Sequence, residues 1–204
     1  MFNIYFKQII VFIVFILLAC SSEVKKDIDL QKFLPFESNA TKYTFTVIGT
    51  EQENTFFTEY ILSSKNNNCV MMHSYVWTEK NGKKSVKKRT KDILFCIKND
   101  EIIGDNYYIY YKNSKKWYID ISSIGVTKKI IKAKCNLLSF DKKNIFSKDR
   151  EILHTQCKYK IKDILISNDY FIAEGLGLYK ITSKSSLEQF RNSKVSVMEI
   201  INIK

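Results

Sequence analysis

The chain has 204 residues and a formal net charge of +12, and 45% of its residues are hydrophobic. This length favours one domain that can bury a full core without a structural metal. One proline and six glycines argue against long flexible tracts beyond a short tether, and 14 Phe with 12 Tyr favour strands over helices.

The basic charge has two interpretations. It could attract anionic lipid head groups, acidic glycans or nucleic acid. Alternatively, the excess of Lys and Asn reflects the coding bias of an AT-rich genome, with the lysines spread over a solvated surface. We favour the second interpretation.

Residues 9–20 form an uninterrupted apolar run, I-I-V-F-I-V-F-I-L-L-A-C, preceded by Lys7. A positive start and an apolar run of about 7–15 residues are typical of a secretory signal peptide. A bilayer span needs about 20 apolar residues, which this run does not reach. We predict a signal peptide over 1–19. An uncleaved anchor helix and a signal removed without lipidation are the alternatives.

The run ends in Leu17, Leu18, Ala19 and Cys20. This resembles a bacterial lipobox, in which the cysteine is lipidated and becomes the first mature residue. The resemblance implies a diacylglyceryl thioether on Cys20 and usually an acylated amine carrying a chain such as palmitate, an anchor of several chains that holds a protein firmly at a membrane. Ser21, in place of an acidic residue, resembles the signal for outer-membrane sorting. The anchor argues against nucleic acid as a partner.

Residues 20–35 predict a lipidated N-terminus and a polar tether, with at most a short helix around 28–34 and Pro35 at its end. Residues 36–204 then predict one antiparallel β domain.

Four cysteines remain, Cys69, Cys96, Cys135 and Cys157. An even number in an exported protein permits disulfides, and four cysteines allow three pairings. The spacing contains no C-x-x-C, so a zinc site is not expected. We place Cys135 with Cys157 first. Cys96 lies in an apolar run and fits a buried free thiol equally well.

Alternation of apolar and polar residues predicts antiparallel strands at 43–47 and 56–62. Residues 69–91 then fold back around Asn81-Gly82, a strong hairpin signal because both central residues must adopt positive φ. The predicted facing pairs are Lys80 with Lys83, Glu79 with Lys84, Thr78 with Ser85, and Trp77 with Val86.

The return arm of this hairpin is the densest basic run of the chain, with Lys83, Lys84, Lys87, Lys88, Arg89 and Lys91. It could be a contact surface for anionic lipid or for a protein partner. It could equally be a solvated edge strand whose lysines prevent edge-to-edge pairing, which we favour.

Residues 93–98 predict a central strand, and residues 102–112 with 117–121 predict an aromatic hairpin that turns at Asn113-Ser114. Its tyrosines could form a packed core face or line a ligand groove, and the packed face is the commoner arrangement. They are Tyr107, Tyr108, Tyr110 and Tyr111.

The next stretch, 124–140, fits neither period and predicts a long connection or a short helix. Alternation returns at 152–159, residues 161–166 follow with little turn signal between, and a turn is predicted at 167–169. A capped helical turn is predicted at 185–190 and a closing strand at 195–203.

Residues 170–182 predict a strand in which Gly175 and Gly177 mark a bulge or a close backbone approach. This stretch follows a strand that bears Cys157 and precedes the last strand. The order resembles a recurrent motif of bacterial envelope proteins, although Leu178-Tyr179 departs from it. The resemblance implies a mainly β fold, a single antiparallel sheet curved like the half-barrels of the lipoprotein-localisation family, with one or two short helices. It carries no functional residue.

Neither His73 nor His154 has an acidic or cysteine neighbour in sequence, so we expect a structural role for each and no metal site. The motifs of serine hydrolases, zinc proteases and nucleotide-binding proteins are absent from the sequence, so we expect neither an enzyme nor a cofactor.

The sequence therefore predicts a non-catalytic envelope lipoprotein that binds an apolar ligand or another envelope component. The alternative is a surface-exposed lipoprotein that binds an external partner through the basic hairpin, with an enzyme of unrecognised class as a minor third. The oligomeric state stays open.

Overall fold

The computed structural model describes residues 28–36, 40–49, 55–105, 108–122, 130–187 and 193–204. The predicted signal peptide, Cys20 and the first half of the predicted tether lie outside these residues. Within them, no helix is long and apolar enough to cross a membrane.

The described residues form one short 3-10 helix, Leu30–Phe33, and thirteen strands in a single antiparallel sheet, which confirms the predicted fold class. The strands are β1 Lys42–Gly49, β2 Thr55–Lys65, β3 Cys69–Lys80, β4 Lys83–Lys84, β5 Lys88–Lys98, β6 Glu101–Ile103, β7 Ile109–Lys112, β8 Lys116–Ser122, β9 Ile130–Ile145, β10 Lys148–Ile161, β11 Ile164–Ala173, β12 Gly177–Leu187 and β13 Ser193–Ile203.

The sheet runs in the order β7-β6-β5-β3-β2-β1-β13-β12-β11-β10-β9-β8 and is curled into a nearly closed barrel. Its two ends, β7 and β8, are consecutive in the chain. One side chain joins them across the seam, since Trp117 Nε1 donates to the Ile109 carbonyl at 3.3 Å. The Thr155 hydroxyl of β10 also holds β7, donating to the Tyr110 carbonyl at 2.8 Å. The predicted aromatic hairpin is therefore wrong, because β8 pairs with β9 and not with β7.

The hairpin at Asn81-Gly82 is confirmed, with φ of 51° and 74° at its two central residues. Its pairs Lys80–Lys83 and Glu79–Lys84 lie in the predicted register, and the backbone amide of Ser85 bonds the Thr78 carbonyl at 2.8 Å. The pairing of Trp77 with Val86 is wrong. The chain leaves the ladder after Ser85, and Val86 is 81% exposed.

The stretch 124–140 is a strand from Ile130 onward rather than a connection or helix, and residues 123–129 lie outside the described part. The reason for the misfit is a bulge. His154 pairs with Ser139 but Thr155 pairs with Leu137, so Leu138 has no partner and the period of two is interrupted.

The turn predicted at 167–169 is wrong, since these residues lie inside β11. Their polar side chains are bonded across the sheet: Ser183 Oγ donates to Asn168 Oδ1 at 2.7 Å and Gln156 Nε2 donates to Asp169 Oδ1 at 2.9 Å. Of the helical turn predicted at 185–190, residues 185–187 belong to β12 and the rest lies outside the described residues.

The N-terminal segment 30–36 closes one end of the curled sheet, which we call the plugged end. The side chains of Phe33 and Phe36 are 0% and 1% exposed within the main core. Pro35 packs on Gly177, where an added Cβ would lie 3.0 Å from the proline ring. The glycine stretch is thus a tight turn that receives this segment, not a bulge in one strand. The free tether is shorter than predicted, because residues 30–35 are docked.

Candidate functional site

The predicted site residues do not converge. Cys20 lies outside the described residues. The other four cysteines form the disulfides Cys69–Cys96 and Cys135–Cys157, each between directly facing strand positions. Cys135 and Cys157 are fully buried, whereas Cys69 and Cys96 are only partly buried.

The six basic residues of the hairpin arm are spread along β4, the following turn and β5. Four of them contact carboxylates: Lys84 with Glu79, Lys87 with Glu59, Arg89 with Asp92, and Lys91 with Asp105. Lys83 and Lys88 complete the set and are exposed. Pairing thus reduces the free charge of this surface.

Glu59 lies at the centre of the ion pairs on the outer face of the sheet, beside the hairpin arm. Its side chain is almost fully buried and binds both Lys42, at 3.1 Å, and Lys87. Burial alone would raise the pKa of Glu59, but the hydrogen bonds from the two lysines outweigh it and hold the pKa below its ordinary value. Lys87 also lies over the Tyr75 ring, 4.8 Å from its centroid. This cluster is internally satisfied and presents no open site.

The two histidines are each held by an aspartate that is distant in sequence. His73 Nδ1 lies 2.9 Å from Asp92, and His154 Nε2 lies 3.1 Å from Asp169. The described residues contain no group of three His, Cys, Asp or Glu that could hold a metal ion.

The main concave feature lies where the sheet is incomplete. β6 pairs with β5 only from Cys96 to Lys98. Within the described residues, the part of β5 before Cys96 has a ladder partner on one side only, β3. We call this part of the strand the β5 edge. A groove of about 740 Å³, the β5 groove, lies beside it. Its walls include Asn68, Leu94, Ile97, Lys98, Ile103 and the disulfide Cys69–Cys96.

Asp105 covers part of the free edge. Its Oδ1 accepts the Leu94 amide at 2.8 Å, in the position that a carbonyl of a neighbouring strand would take, and its Oδ2 binds Lys91 at 2.7 Å. The carboxylate therefore satisfies an edge amide that β6 is too short to reach.

A smaller cavity of about 100 Å³ adjoins the groove inside the curled sheet. Leu94, Gly104 and Asp105 line both, so they form the boundary between them. The cavity wall is apolar apart from Asp105 and the three tyrosines Tyr43, Tyr60 and Tyr110. At this volume it is smaller than sites for drug-sized ligands, about 300–1,000 Å³, whereas the groove falls within that range.

Tyr60 and Tyr110 line this space and are half-buried. Their rings pack on Phe45 and Phe95, at 4.8 and 6.2 Å between centroids. Burial, and then the charge of Asp105, raises the pKa of Tyr60 to about 12. Burial is also the main cause that raises the pKa of Tyr110. Among the described residues neither hydroxyl has a hydrogen-bond partner.

Other buried tyrosines differ in this respect. The Tyr108 and Tyr170 hydroxyls lie 2.5 Å apart, and Asn168 Nδ2 donates to Tyr170 at 3.1 Å. Of the predicted tyrosines, Tyr111 packs in the core, as the favoured interpretation expects, and Tyr110 lines the small cavity. Tyr107 lies outside the described residues. Tyr60 carried no distinguishing sequence signal, and the spacing of 93–105 did not reveal the groove.

No protein-family model and no curated protein matches the chain. Two solved structures are similar to it. One, described as a candidate lipoprotein from Parabacteroides distasonis, aligns over 87% of this chain and all of its own, with a TM-score of 0.50 and 10% identity. The other, described as a candidate exported protein with a YmcC-like fold from Bacteroides fragilis, aligns over 85% of this chain and 99% of its own, with a TM-score of 0.44 and 7% identity. At such identity the first likeness shows a shared fold, and the second is too distant to support an argument.

Proposed function

We propose that this protein is a lipid-anchored component of a bacterial cell envelope, most consistent with the outer membrane, which binds an acyl-chain ligand in the β5 groove without catalysis. The groove carries this proposal. It is concave and within the volume range of ligand sites, its wall includes Leu94, Ile97, Ile103 and the Cys69–Cys96 disulfide beside polar side chains, and it shares part of its lining with a cavity in the core.

The N-terminal segment supports the anchoring part of the proposal. The lipobox at residues 17–20 supplies an acylation site, and the docked segment begins at Leu30. About ten residues lie between Cys20 and this point, which span at most about 35 Å when extended. The anchor would therefore hold the plugged end of the domain close to the membrane surface.

The ionisable residues of the groove support a binding rather than a catalytic role. Asp105 is held by Lys91, and Glu101 binds Lys112 at 2.8 Å. A carboxylate committed to a lysine is a poor general acid or base at neutral pH. The ion pairs of the hairpin arm argue against the alternative that this arm binds an external partner, because they neutralise much of its basic charge.

The anchor is tested by replacing Cys20 with Ser in the full-length chain. Incorporation of radiolabelled palmitate should disappear and the protein should leave the membrane fraction, while a Ser22→Ala control keeps both. Undiminished labelling of the Cys20→Ser variant would contradict the lipidation proposal.

Ligand binding is tested with a chain that starts at Ser21, which retains every described contact. Titration with the neutral apolar dye N-phenyl-1-naphthylamine should give saturable fluorescence. Leu94→Arg should weaken binding at least about tenfold, or about 1.4 kcal/mol, because it places a charge in the groove wall. The matched control is Val86→Arg, at an exposed position outside the groove. Equal affinity of the two variants would place the dye elsewhere.

A further inference from the structure

Tyr60 and Tyr110 line the interior cavity and are half-buried, and neither hydroxyl has a hydrogen bond within the described residues. A hydroxyl that is taken out of water without gaining a hydrogen bond destabilises a fold, and most buried polar groups are paired. Tyr60 and Tyr110 come from β2 and β7, which are not neighbours in the sheet, and both line the same cavity of about 100 Å³. A phenylalanine would fill either ring position without this cost.

The cavity and the groove share part of their lining. Leu94, on the groove side, and Gly104 flank the boundary between them. Gly104 has no room for a side chain, because an added Cβ would lie 2.3 Å from the Tyr110 ring. The glycine therefore lets the Tyr110 ring sit directly against the chain at this boundary, next to the groove.

The electrostatics of the cavity define what it can bind. Both hydroxyls are protonated at neutral pH, as tyrosines ordinarily are, and burial raises the pKa of each further. They can therefore donate hydrogen bonds to an acceptor. The Asp105 carboxylate is paired with Lys91 but is the charged group of the cavity lining, and it disfavours an anionic ligand in that space. A neutral acceptor such as a carbonyl oxygen fits both conditions.

We propose that Tyr60 and Tyr110 bind the carbonyl of a neutral acyl ester or amide, whose hydrocarbon chain lies in the β5 groove. This rests on the proposed function and narrows it to one ligand class. The small cavity accommodates the polar group and the larger groove accommodates the chain. Free fatty acids, which are anionic at neutral pH, are disfavoured.

The test compares two probes of equal chain length, monopalmitoylglycerol and palmitate, by displacement of N-phenyl-1-naphthylamine at pH 7.5. The chain from Ser21 is used as wild type and as Tyr60→Phe and Tyr110→Phe. The wild type should bind the ester at least tenfold more tightly than the acid. Each variant should lose about three- to tenfold of the ester affinity, the effect of about one hydrogen bond, with palmitate affinity unchanged.

The melting temperature separates this role from a structural one. It should be unchanged or higher in Tyr60→Phe and Tyr110→Phe, because each removes a half-buried hydroxyl that has no hydrogen bond within the described residues. Tyr170→Phe is the matched control, since its hydroxyl bonds Tyr108 and Asn168 and lies outside the cavity lining. That variant should melt at a lower temperature and keep its ester affinity.

Three outcomes would overturn the inference. If the dye binds the groove but ester and acid compete equally, the ligand class is wrong while the groove site stands. If Tyr60→Phe and Tyr110→Phe lower the melting temperature as Tyr170→Phe does, the hydroxyls serve the fold through bound water. If neither dye nor lipid binds the wild type, the proposed function fails and this inference fails with it.

Discussion

The plugged end of the sheet and the β5 edge differ in how far their polar groups are paired. At the plugged end the chain supplies its own partners: segment 30–36 fills the opening, the amide of Gly175 bonds the Lys32 carbonyl at 2.7 Å, and Lys65 Nζ donates to the Phe36 carbonyl at 2.6 Å. At the β5 edge the ladder stops short, a groove opens and two hydroxyls have no partner within the described residues. The first region therefore stabilises the fold, whereas the second leaves space and polar groups available to a ligand.

Tyr43 and Tyr60 show the contrast in one pair of residues. They face each other across β1 and β2, on the same side of the sheet. The Tyr43 hydroxyl accepts the Phe36 amide at 2.6 Å and donates to the Gly175 carbonyl at 2.9 Å. Within the described residues the Tyr60 hydroxyl has no such bond. The two residues are of one type and face each other, but Tyr43 is 1% exposed and Tyr60 is half-buried, so the difference comes from what the rest of the fold places over each ring.

The largest expected effect on stability is at segment 30–36, which fills the plugged end. Phe33→Ala removes a ring with no exposed surface from the main core and should lower the free energy of unfolding by about 3–5 kcal/mol. Urea denaturation of the chain from Ser21, followed by fluorescence, measures it. Val86→Ala, at an exposed position, should change stability by less than about 0.5 kcal/mol. A small effect of Phe33→Ala would mean that the N-terminal segment is only loosely docked.

The two disulfides give the next largest effect and differ by region. Cys69 and Cys96 line the groove, whereas Cys135 and Cys157 have no exposed surface. A mild reductant under native conditions should therefore open Cys69–Cys96 first, at a cost of about 2–4 kcal/mol in stability. Alkylation of the freed thiols and mass spectrometry identify the order. In urea the two bonds should open together, and native reduction of Cys135–Cys157 first would contradict the assignment of buried and open regions.

The sequence predicted features that depend on near neighbours. Alternation located β1 and β2, and Asn81-Gly82 fixed a hairpin and its register. Glycines at 175 and 177 predicted a close backbone approach, and Pro35 makes it, although in a turn. Such features can be predicted from the sequence because the residues that indicate them are also the residues that form them.

Features decided by distant contacts were missed. The break between β7 and β8 is the seam of the curled sheet, and adjacency in sequence suggested pairing where the closed shape prevents it. Asn168 and Asp169 suggested a turn because their cross-strand partners come from β12 and β10. The candidate site draws Tyr60, Tyr110 and Asp105 from separate elements, and no local pattern joins them.

The smallest of the three stability effects tests the tyrosine pair directly. Tyr43→Phe keeps the ring but leaves the buried Phe36 amide and Gly175 carbonyl without their shared partner, which should cost about 1–3 kcal/mol. Urea denaturation measures this loss beside Tyr60→Phe, for which no loss is expected. Because the two residues face each other and lose the same atom, differences in strand propensity and ring packing cancel between them. Equal losses would show that Tyr60 has a partner in solution, and the contrast between the plugged end and the β5 edge would then lose its basis.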